Sequence, residues 1–329
     1  MKEHLPGARH GRHVEAVSDL VLVAGCLEPK TVIVPGGDRE DDLRLVESAR
    51  DHGIVERVIL VGDEAAIRKA ATAVGIAVPD EDIVGTASQE ETAERTVEAV
   101  QAGRVDIILK GNISTPILNR AIMRVRVRDT ISLVTIFDAA PIAGGRPMLL
   151  TDPGVTTACT FDRMVGLVEN AVDVARDIMG IDRPRVAILS ANEKLIDSLP
   201  STAMGRDLTH HRWPHAAVYG PLSFDLAVSE ESVRLKEGSL KGAALEVAGR
   251  ADVLVCPGLD SANVLYKVIM EIVKYGLGTF AGVTVGVAVP YVILSRADNV
   301  ETKLQSIALC SIARERMDMA RRPAPAEGS

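Results

Sequence analysis

The chain is poor in aromatic side chains. Four Phe, four Tyr and one Trp make up only 3% of its 329 residues, and its net charge is −8. Proteins that bind single-stranded nucleic acid stack bases on aromatic rings and attract the phosphate backbone with positive charge. We therefore expect no nucleic-acid partner, although a local positive pocket could still hold a small polyanion.

Cysteine is also scarce. Cys26, Cys159, Cys256 and Cys310 lie far apart, and no C-x-x-C pair occurs. Secreted disulfide frameworks and most zinc sites need closer spacing, so we interpret these residues as buried, reduced thiols of a cytoplasmic protein. The polar segment Met1–His13 lacks the apolar core of a signal peptide, which agrees with that localisation.

Long uncharged runs are rare, and one needs a membrane check. Tyr275–Ser295 has no charged residue over 21 positions, which approaches the length of a membrane span. It is rich in Val and contains four Gly and Pro290, and this composition favours two buried strands separated by a turn. We expect no membrane partner.

Short β-branched runs alternate with amphipathic segments along the chain. Thr31–Val34, Arg57–Val61 and Val105–Leu109 each end at a Gly-containing turn and lead into a helical pattern. This rhythm predicts βαβ units and a largely parallel sheet whose strands are buried on both faces.

The length of the chain and a change of pattern near Thr130 predict two domains. We expect two three-layer α/β domains with a cleft between them. The first is discontinuous, with residues 1–130 and 291–329, and residues 131–290 form an inserted second domain. A long helix is expected at Phe161–Met179.

The strongest functional clue lies near the carboxyl end. The apolar run Tyr291–Leu294 stops at Ser295, Arg296 and Asp298, and a helical pattern begins at about Val300. Open α/β sheets bind ligands at strand tips. Arg matches a phosphate, and Ser can hold or pass a proton. The pattern predicts a phosphorylated or acyl-phosphate substrate.

A second strand tip carries Gly111, Ser114 and Thr115, with Arg120 about one turn further on. Gly111 permits close backbone approach, and Ser114 or Thr115 can cap a helix whose N–H groups would bind an anion. Arg120 could close on a phosphate. Taken alone, the pattern is better explained by an ordinary capped helix with a surface Arg.

Other motifs are weaker. Ser190 and Asn192 could line a substrate channel or simply begin a helix, and the rigid turn at Gly220 and Pro221 could bind an amide or adenine edge or be an ordinary loop. Together with Gly111 and Ser295, the strand tips at Ser190 and Pro257 strengthen the prediction of a ligand site. Asp260, Asn263 and Lys267 share one helix face, which faces either a cleft or solvent.

Two motifs favour structural interpretations. Gly36–Arg39 resembles a phosphate cradle only loosely and reads as a tight turn, because neither a G-x-G-x-x-G nor a P-loop pattern is present. His210, His211 and His215 suggest zinc, but no Cys or carboxylate stands at ligand spacing, so we predict no metal site.

Taken in order, these pieces resemble the phosphate acetyltransferase/phosphate butyryltransferase family over about Thr31–Ile312. The sequences NVLYK and SRAD…ETKL look closer to the butyryl branch. The segments that carry the resemblance are Asp106–Arg120, Gly220–Ser229, Gly249–Val255, Ala262–Lys267, Ser295–Asp298 and Glu301–Leu304.

The resemblance implies the two-domain architecture of isocitrate and isopropylmalate dehydrogenases and a homodimer. It implies reversible transfer of an acyl group, acetyl to butyryl, between coenzyme A and inorganic phosphate, with an acyl phosphate as the other partner. Coenzyme A is then a substrate, and no permanently bound cofactor is expected.

The resemblance also assigns residues. Ser295 and Arg296 match the family's catalytic pair, Arg120 matches a phosphate-binding Arg, and Asn263 and Lys267 match a helix that borders the cleft.

One position departs from the family pattern. The acetyl branch has an Asp seven residues after the Ser, proposed as the base for the thiol, and here Thr302 stands there. We assign that role to Asp298, with Glu301 as an alternative.

Two rival functions remain open on sequence alone. A metal- and NAD-dependent hydroxy-acid dehydrogenase on the same fold would need clustered acidic ligands, and the sequence offers none that convince. A non-catalytic acyl-coenzyme A sensor would bind without turnover, and the intact Ser295–Arg296 pair argues against it.

Overall fold

The computed structural model describes residues 14–236, 240–293 and 298–321. Within that part of the chain, eleven strands form one sheet in the order β3-β2-β1-β4-β11-β10-β5-β6-β9-β7-β8. The strands are β1 (Lys30–Pro35), β2 (Val55–Gly62), β3 (Ile83–Gly85), β4 (Ile107–Leu109), β5 (Ser132–Phe137), β6 (Met148–Thr151), β7 (Arg185–Leu189), β8 (Ala217–Leu222), β9 (Val253–Val255), β10 (Phe280–Val285) and β11 (Tyr291–Val292).

Twelve α-helices lie in the same described part of the chain. They are α1 (Leu20–Ala24), α2 (Glu40–Asp51), α3 (Glu64–Val74), α4 (Gln89–Gln101), α5 (Thr115–Ile122), α6 (Phe161–Asp177), α7 (Pro200–His210), α8 (Phe224–Val228), α9 (Glu230–Leu235), α10 (Ala244–Val247), α11 (Leu259–Lys274) and α12 (Val300–Arg321). The predicted alternation of strands and helices is confirmed, including the long helix α6.

Helices cover both faces of the sheet, because successive side chains of each buried strand point to opposite faces. In β1, Val32 and Val34 pack with α1, α2 and α12, whereas Ile33 packs with α4 and α5. A separate apolar cluster on the α4–α5 side joins Phe280 of β10 to α8, α10 and α11. The result is the three-layer α/β arrangement that the sequence predicts.

The sheet is largely parallel, as predicted, and its exceptions lie at the centre. β5 runs antiparallel to both β6 and β10, and β10 runs antiparallel to β11. Strands β1 to β4 with β11 therefore run in one direction, and β6 to β9 run in the opposite direction.

The carboxyl ends of these two groups of strands lie at the same row of paired residues, which crosses neighbouring strands of the sheet. β4 and β11 reach the row from one direction, and β6, β9 and β7 reach it from the other, with β10 and β5 between them. The pairing along the row is Ile108–Tyr291–Thr284–Leu133, and one residue away it continues as Val134–Thr151–Val255–Ile188. The strand tips therefore fall into two groups that face this row.

Tyr275–Ser295 contains β10 and β11 separated by a turn, as predicted. Within the described ranges, no helix is both long and apolar enough to cross a membrane.

Two expectations were wrong. Gly220 and Pro221 belong to β8 rather than to a turn, because β8 is the edge strand of the sheet and an edge tolerates Pro. All four thiols were expected to be buried, but Cys26 is exposed, whereas Cys256 and Cys310 are buried.

Candidate active site

Ser295 and Arg296, the two residues with the strongest sequence signal, lie outside the described residues. The structure fixes the positions on either side of them. β11 ends at Val292, and the described chain resumes at Asp298, two residues before α12 begins at Val300. That boundary confirms the predicted change from strand to helix.

The tip of β4 lies directly beside the tip of β11. The Lys110 N–H donates to the Val292 carbonyl at 3.2 Å, and the Gly111 N–H donates to the Pro35 carbonyl at 3.0 Å. A Cβ atom on Gly111 would lie only 2.3 Å from the Gly36 carbonyl oxygen. The close approach predicted for Gly111 is real, and the group that approaches it is the turn after β1.

That turn is joined to the β4 tip by side chains as well. The Asn112 N–H donates to the Gly36 carbonyl at 2.7 Å. Arg39 donates from Nη2 to Asn112 Oδ1 at 3.1 Å, and Asn112 donates from Nδ2 to Asp38 Oδ2 at 3.2 Å. The interpretation of Gly36–Arg39 as a tight structural turn is thereby confirmed.

A buried carboxylate next to this turn escaped the sequence analysis. Asp42, in the first turn of α2, is 6% exposed, and its Oδ2 has no hydrogen-bond partner among the described residues. Burial raises its pKa, and the nearby cations Arg39, Lys303 and Lys110 oppose that rise. The sequence signal for this carboxylate was the acidic run at the start of α2. Only the packing shows that Asp42 is buried whereas its acidic neighbours are exposed.

Helix α5 follows the β4 tip and packs beside β11. The Tyr291 hydroxyl lies 3.3 Å from Asn119 Oδ1. Ser114 is the N-cap residue, yet its side chain makes no cap hydrogen bond, and its N–H donates to Gln89 Oε1 at 3.0 Å. Thr115 opens the helix. Arg120 is exposed on α5, with no hydrogen bond or ion pair to the rest of the described chain.

Helix α11 connects the two groups of strand tips. Asn263 donates from Nδ2 to the Pro153 carbonyl, in the turn after β6, at 2.9 Å. Less than one helical turn later, the Tyr266 hydroxyl lies 3.2 and 3.3 Å from the two carboxylate oxygens of Asp298. Because Asp298 follows β11, one turn of α11 contacts both groups.

Tyr266 was not singled out in the sequence, and its surroundings are well defined. Its side chain is 8% exposed and packs against Phe280, with ring centroids 5.2 Å apart. The Lys267 ammonium lies 4.5 Å from the centre of the Tyr266 ring, within the range of a cation–π contact. Burial, together with the negative charge of Asp298, raises the pKa of Tyr266, so the hydroxyl keeps its proton and donates it.

The turn that Asn263 contacts is built around Asp152. This carboxylate is 3% exposed and accepts backbone N–H bonds from four residues, at 2.7 to 3.1 Å: Leu133, Gly154, Val155 and Thr156. Burial raises the pKa of Asp152, and these four bonds oppose the rise. The residues Thr151–Gly154 (T-D-P-G) are typical of a turn, whereas the backbone partners of Asp152 come from tertiary structure.

The strand-tip candidates on β7 and β8 serve local structure. Ser190 Oγ lies 2.9 Å from Ser201 Oγ, and Asn192 Oδ1 accepts the Lys194 N–H at 2.9 Å. Gly220 exchanges two 2.8 Å hydrogen bonds with the Thr209 hydroxyl through its N–H and carbonyl. Pro221 continues the same strand. Each of these hydrogen bonds of Ser190, Asn192 and Gly220 joins residues within 11 positions of each other in the chain.

The histidine-rich segment packs as ordinary structure. The His211 ring contacts Trp213 edge-on at 4.6 Å between centroids and Phe161 at 6.0 Å. Across residues 14–236, 240–293 and 298–321, no three His, Cys, Asp or Glu side chains are grouped so that they could hold a metal ion.

A match to a known protein family identifies the family of the chain. Residues 82–311, more than half of the chain, match the family described as "Phosphate acetyl/butaryl transferase". The chain belongs to this family. The resemblance noted in the sequence is confirmed.

Relatives from both branches of the family are similar to the chain. The phosphate butyryltransferase of Clostridium acetobutylicum is 32% identical over 91% of this chain and 98% of its own length. The phosphate acetyltransferase of Thermotoga maritima is 33% identical over 68% of this chain and 75% of its own length.

Solved structures show the same fold. A branched-chain phosphotransacylase from Enterococcus faecalis aligns with a TM-score of 0.70 at 29% identity, covering 86% of this chain and 98% of the other. A phosphotransacetylase from Streptococcus pyogenes aligns with a TM-score of 0.70 at 20% identity, covering 91% of this chain and 98% of the other.

Proposed function

We propose that the protein is a phosphate acyltransferase that reversibly moves a short acyl group, acetyl to butyryl, between coenzyme A and inorganic phosphate. The observation that carries this proposal is family membership along nearly the full length of a phosphate butyryltransferase. The dehydrogenase alternative is not favoured by these similarities.

The reaction centre is proposed beside the β11 tip, between α5 and α11. In sequence, Ser295 and Arg296 come shortly after Val292, the last residue of β11, whose carbonyl accepts the Lys110 N–H at the β4 tip. Arg296 and Arg120 bind the phosphoryl group, since guanidinium groups match phosphate oxygens. Asn263 and Lys267 border the coenzyme A side.

Near the β4 tip, Gly111, Ser114 and Thr115 are proposed to shape the phosphate side of the site. Ser190 and Asn192, with Gly220 and Pro221 (both in β8), are proposed to contact coenzyme A at a greater distance. Support for this second set comes from family resemblance and strand-tip position alone, because their present hydrogen bonds are local.

In the direction of acyl-coenzyme A synthesis, the Asp298 carboxylate takes the thiol proton of coenzyme A. The sulfur then attacks the carbonyl carbon of the acyl phosphate, a C–S bond forms, and the C–O bond to phosphate breaks. Phosphate leaves with the bonding electron pair, and Arg296 and Arg120 stabilise its charge. Ser295 hydrogen-bonds the thiol or the developing oxyanion. The proton on Asp298 passes to phosphate or solvent.

Asp298 is proposed as the base rather than Glu301 because the structure buries Asp298 against α11 and exposes Glu301. A thiol has a pKa near ~8.5, so a carboxylate within reach increases the reactive thiolate fraction. Thr302, at the position of the acetyl-branch Asp, is buried and carries no acid.

We further propose that residues 1–130 with 291–329, and residues 131–290, are two domains that close on the substrates. The strand order supports this division, since β11 returns beside β4 and the intervening strands lie on the other side. The protein is proposed to act in the cytoplasm as a homodimer, with coenzyme A as substrate and no permanently bound cofactor.

The decisive assay incubates the protein with phosphate and acetyl-, propionyl- or butyryl-coenzyme A and follows the released free thiol. Phosphate-dependent thiol release supports the proposal and ranks the acyl chains. Binding without release would identify an acyl-coenzyme A sensor. Metal-dependent reduction of NAD by a hydroxy acid would instead support a dehydrogenase.

A further inference from the structure

The hydroxyl of Tyr266 reaches across from α11 to a carboxylate on a different segment. Its oxygen lies almost equally far from Asp298 Oδ1 and Oδ2, at 3.2 and 3.3 Å. One O–H proton is thus shared between both acceptor oxygens. Both side chains are buried, so water competes little for this contact.

The ring of Tyr266 is held independently of this hydrogen bond. It packs on Phe280 and lies within the apolar cluster beneath α11. The Asn263 side chain, on the previous turn, fixes the same helix to the Pro153 carbonyl. The hydroxyl is therefore aimed at Asp298 by packing that would survive its removal.

We propose that Tyr266 is a positioning residue for acyl transfer, which orients the Asp298 carboxylate toward the thiol of coenzyme A. This inference rests on the proposed function. Asp298 follows a chain segment that connects β11 to α12, and a hydrogen bond from a rigid helix limits the directions its carboxylate can take. A base acts only when it lies within reach of the proton it removes.

The test is a double-mutant cycle on the full-length protein, with Tyr266→Phe, Asp298→Asn and the two combined. Tyr266→Phe keeps the ring and removes only the hydroxyl. It is expected to lower kcat about tenfold, on the scale of one hydrogen bond to a charged group. The KM values for butyryl-coenzyme A and phosphate should change little. The midpoint of thermal unfolding should fall, because the buried Asp298 carboxylate loses a hydrogen-bond donor, and kcat is therefore measured well below that midpoint.

The cycle separates positioning from packing. If Tyr266 acts through Asp298, Tyr266→Phe should have almost no effect when Asp298→Asn is already present, because neighbouring residues that act together are not additive. Tyr275→Phe is the matched control, since Tyr275 lies just beyond α11 and is 81% exposed. It should leave kcat unchanged.

Each other outcome has a definite meaning. If the wild-type protein is active and Tyr266→Phe has the same kcat, Tyr266 has no positioning role. The same conclusion follows if Tyr266→Phe lowers kcat equally in the wild-type protein and in Asp298→Asn. Full activity of Asp298→Asn would show that Asp298 is not the base, and Tyr266 could then not act through it. The proposed acyl transfer would not be contradicted by that result. A wild-type protein that releases no thiol from any acyl-coenzyme A would instead reject the proposed function.

Discussion

At the scale of single residues, two buried carboxylates near the site differ in how their charge is stabilised. Asp152 accepts four backbone N–H bonds, which favour the ionised form even in a buried position. Asp42 has an oxygen without a hydrogen-bond partner in the described part of the chain, and its nearby cations act through space. We therefore expect Asp42 to lower the stability of the fold when ionised.

Asp42→Asn is expected to increase the free energy of unfolding at neutral pH. Burial raises the pKa of Asp42 above its ordinary 3.8, so the folded state binds its proton more tightly. The stability from this group is fully present below pH 3.8 and is lost as the pH rises through the folded-state pKa. Urea unfolding at neutral pH and at successively lower pH measures the difference, which should narrow on acidification.

Asp41→Asn is the matched control for that series, because Asp41 is the exposed neighbour on the same turn. Its substitution should change stability little. Destabilisation by Asp42→Asn at neutral pH would show that attraction to Arg39 and Lys303 outweighs burial.

Arg296→Gln is expected to lower kcat by roughly 10²–10³, the scale of losing one electrostatic stabiliser of a developing charge. Steady-state thiol release measures it. Arg104→Gln, at an exposed position after α4, is a control that should keep normal kinetics. Near-normal turnover of Arg296→Gln would remove Arg296 from the mechanism.

At the scale of elements, α11 explains how separate strand tips become one site. Its buried face, which includes Ala262, Ile269 and Val273, packs on the sheet. Its polar positions Asn263 and Tyr266 reach the turn after β6 and the segment after β11, respectively. The i, i+3, i+7 spacing of Asp260, Asn263 and Lys267 predicted that these three residues share a helix face. Which segments α11 contacts depends on the packing of the sheet.

The contact between the β1 and β4 turns gives an element-scale prediction. Gly111→Ala would place a Cβ 2.3 Å from the Gly36 carbonyl oxygen. Overpacking of this kind costs about 1–3 kcal/mol of unfolding free energy. Urea denaturation measures the loss.

Gly258→Ala is a suitable control for that variant. Its backbone is extended, and an added Cβ would meet no atom within 4 Å among its described surroundings. Equal stability losses in the two variants would contradict a steric role for Gly111.

At the scale of the whole molecule, the central antiparallel strands β5 and β10 determine the directions of the strands on either side of them. They let two groups of strands run in opposite directions within one sheet, so the carboxyl ends of both groups meet the same row. A ligand site at strand tips then has components from both parts of the chain. The two proposed substrates, coenzyme A and an acyl phosphate, would then contact residues from both parts of the chain.

The homodimer implied by the family resemblance is a prediction at this scale. Size-exclusion chromatography with light scattering should give twice the mass of one chain. Dilution should not dissociate the dimer if its interface is obligate, because such interfaces are large and apolar. The mass of a single chain would contradict the prediction.

The sequence by itself determined the α/β class, most strand and helix positions and the family. β1 was predicted at Thr31–Val34, within one residue of its observed bounds at each end, because a continuous β-branched run between turn residues is a local signal. The same local reasoning failed at Gly220–Pro221, where only the edge position of β8 shows that a strand tolerates Pro.

Tertiary structure alone decided which polar residues meet. Gly111 and Gly36 are 75 positions apart, and Tyr266 and Asp298 are 32 positions apart. Such contacts follow from the order and direction of the strands, and neither composition nor periodicity encodes those directly. Local chemistry therefore identified the family's motifs, and the fold determined which carboxylate Tyr266 contacts.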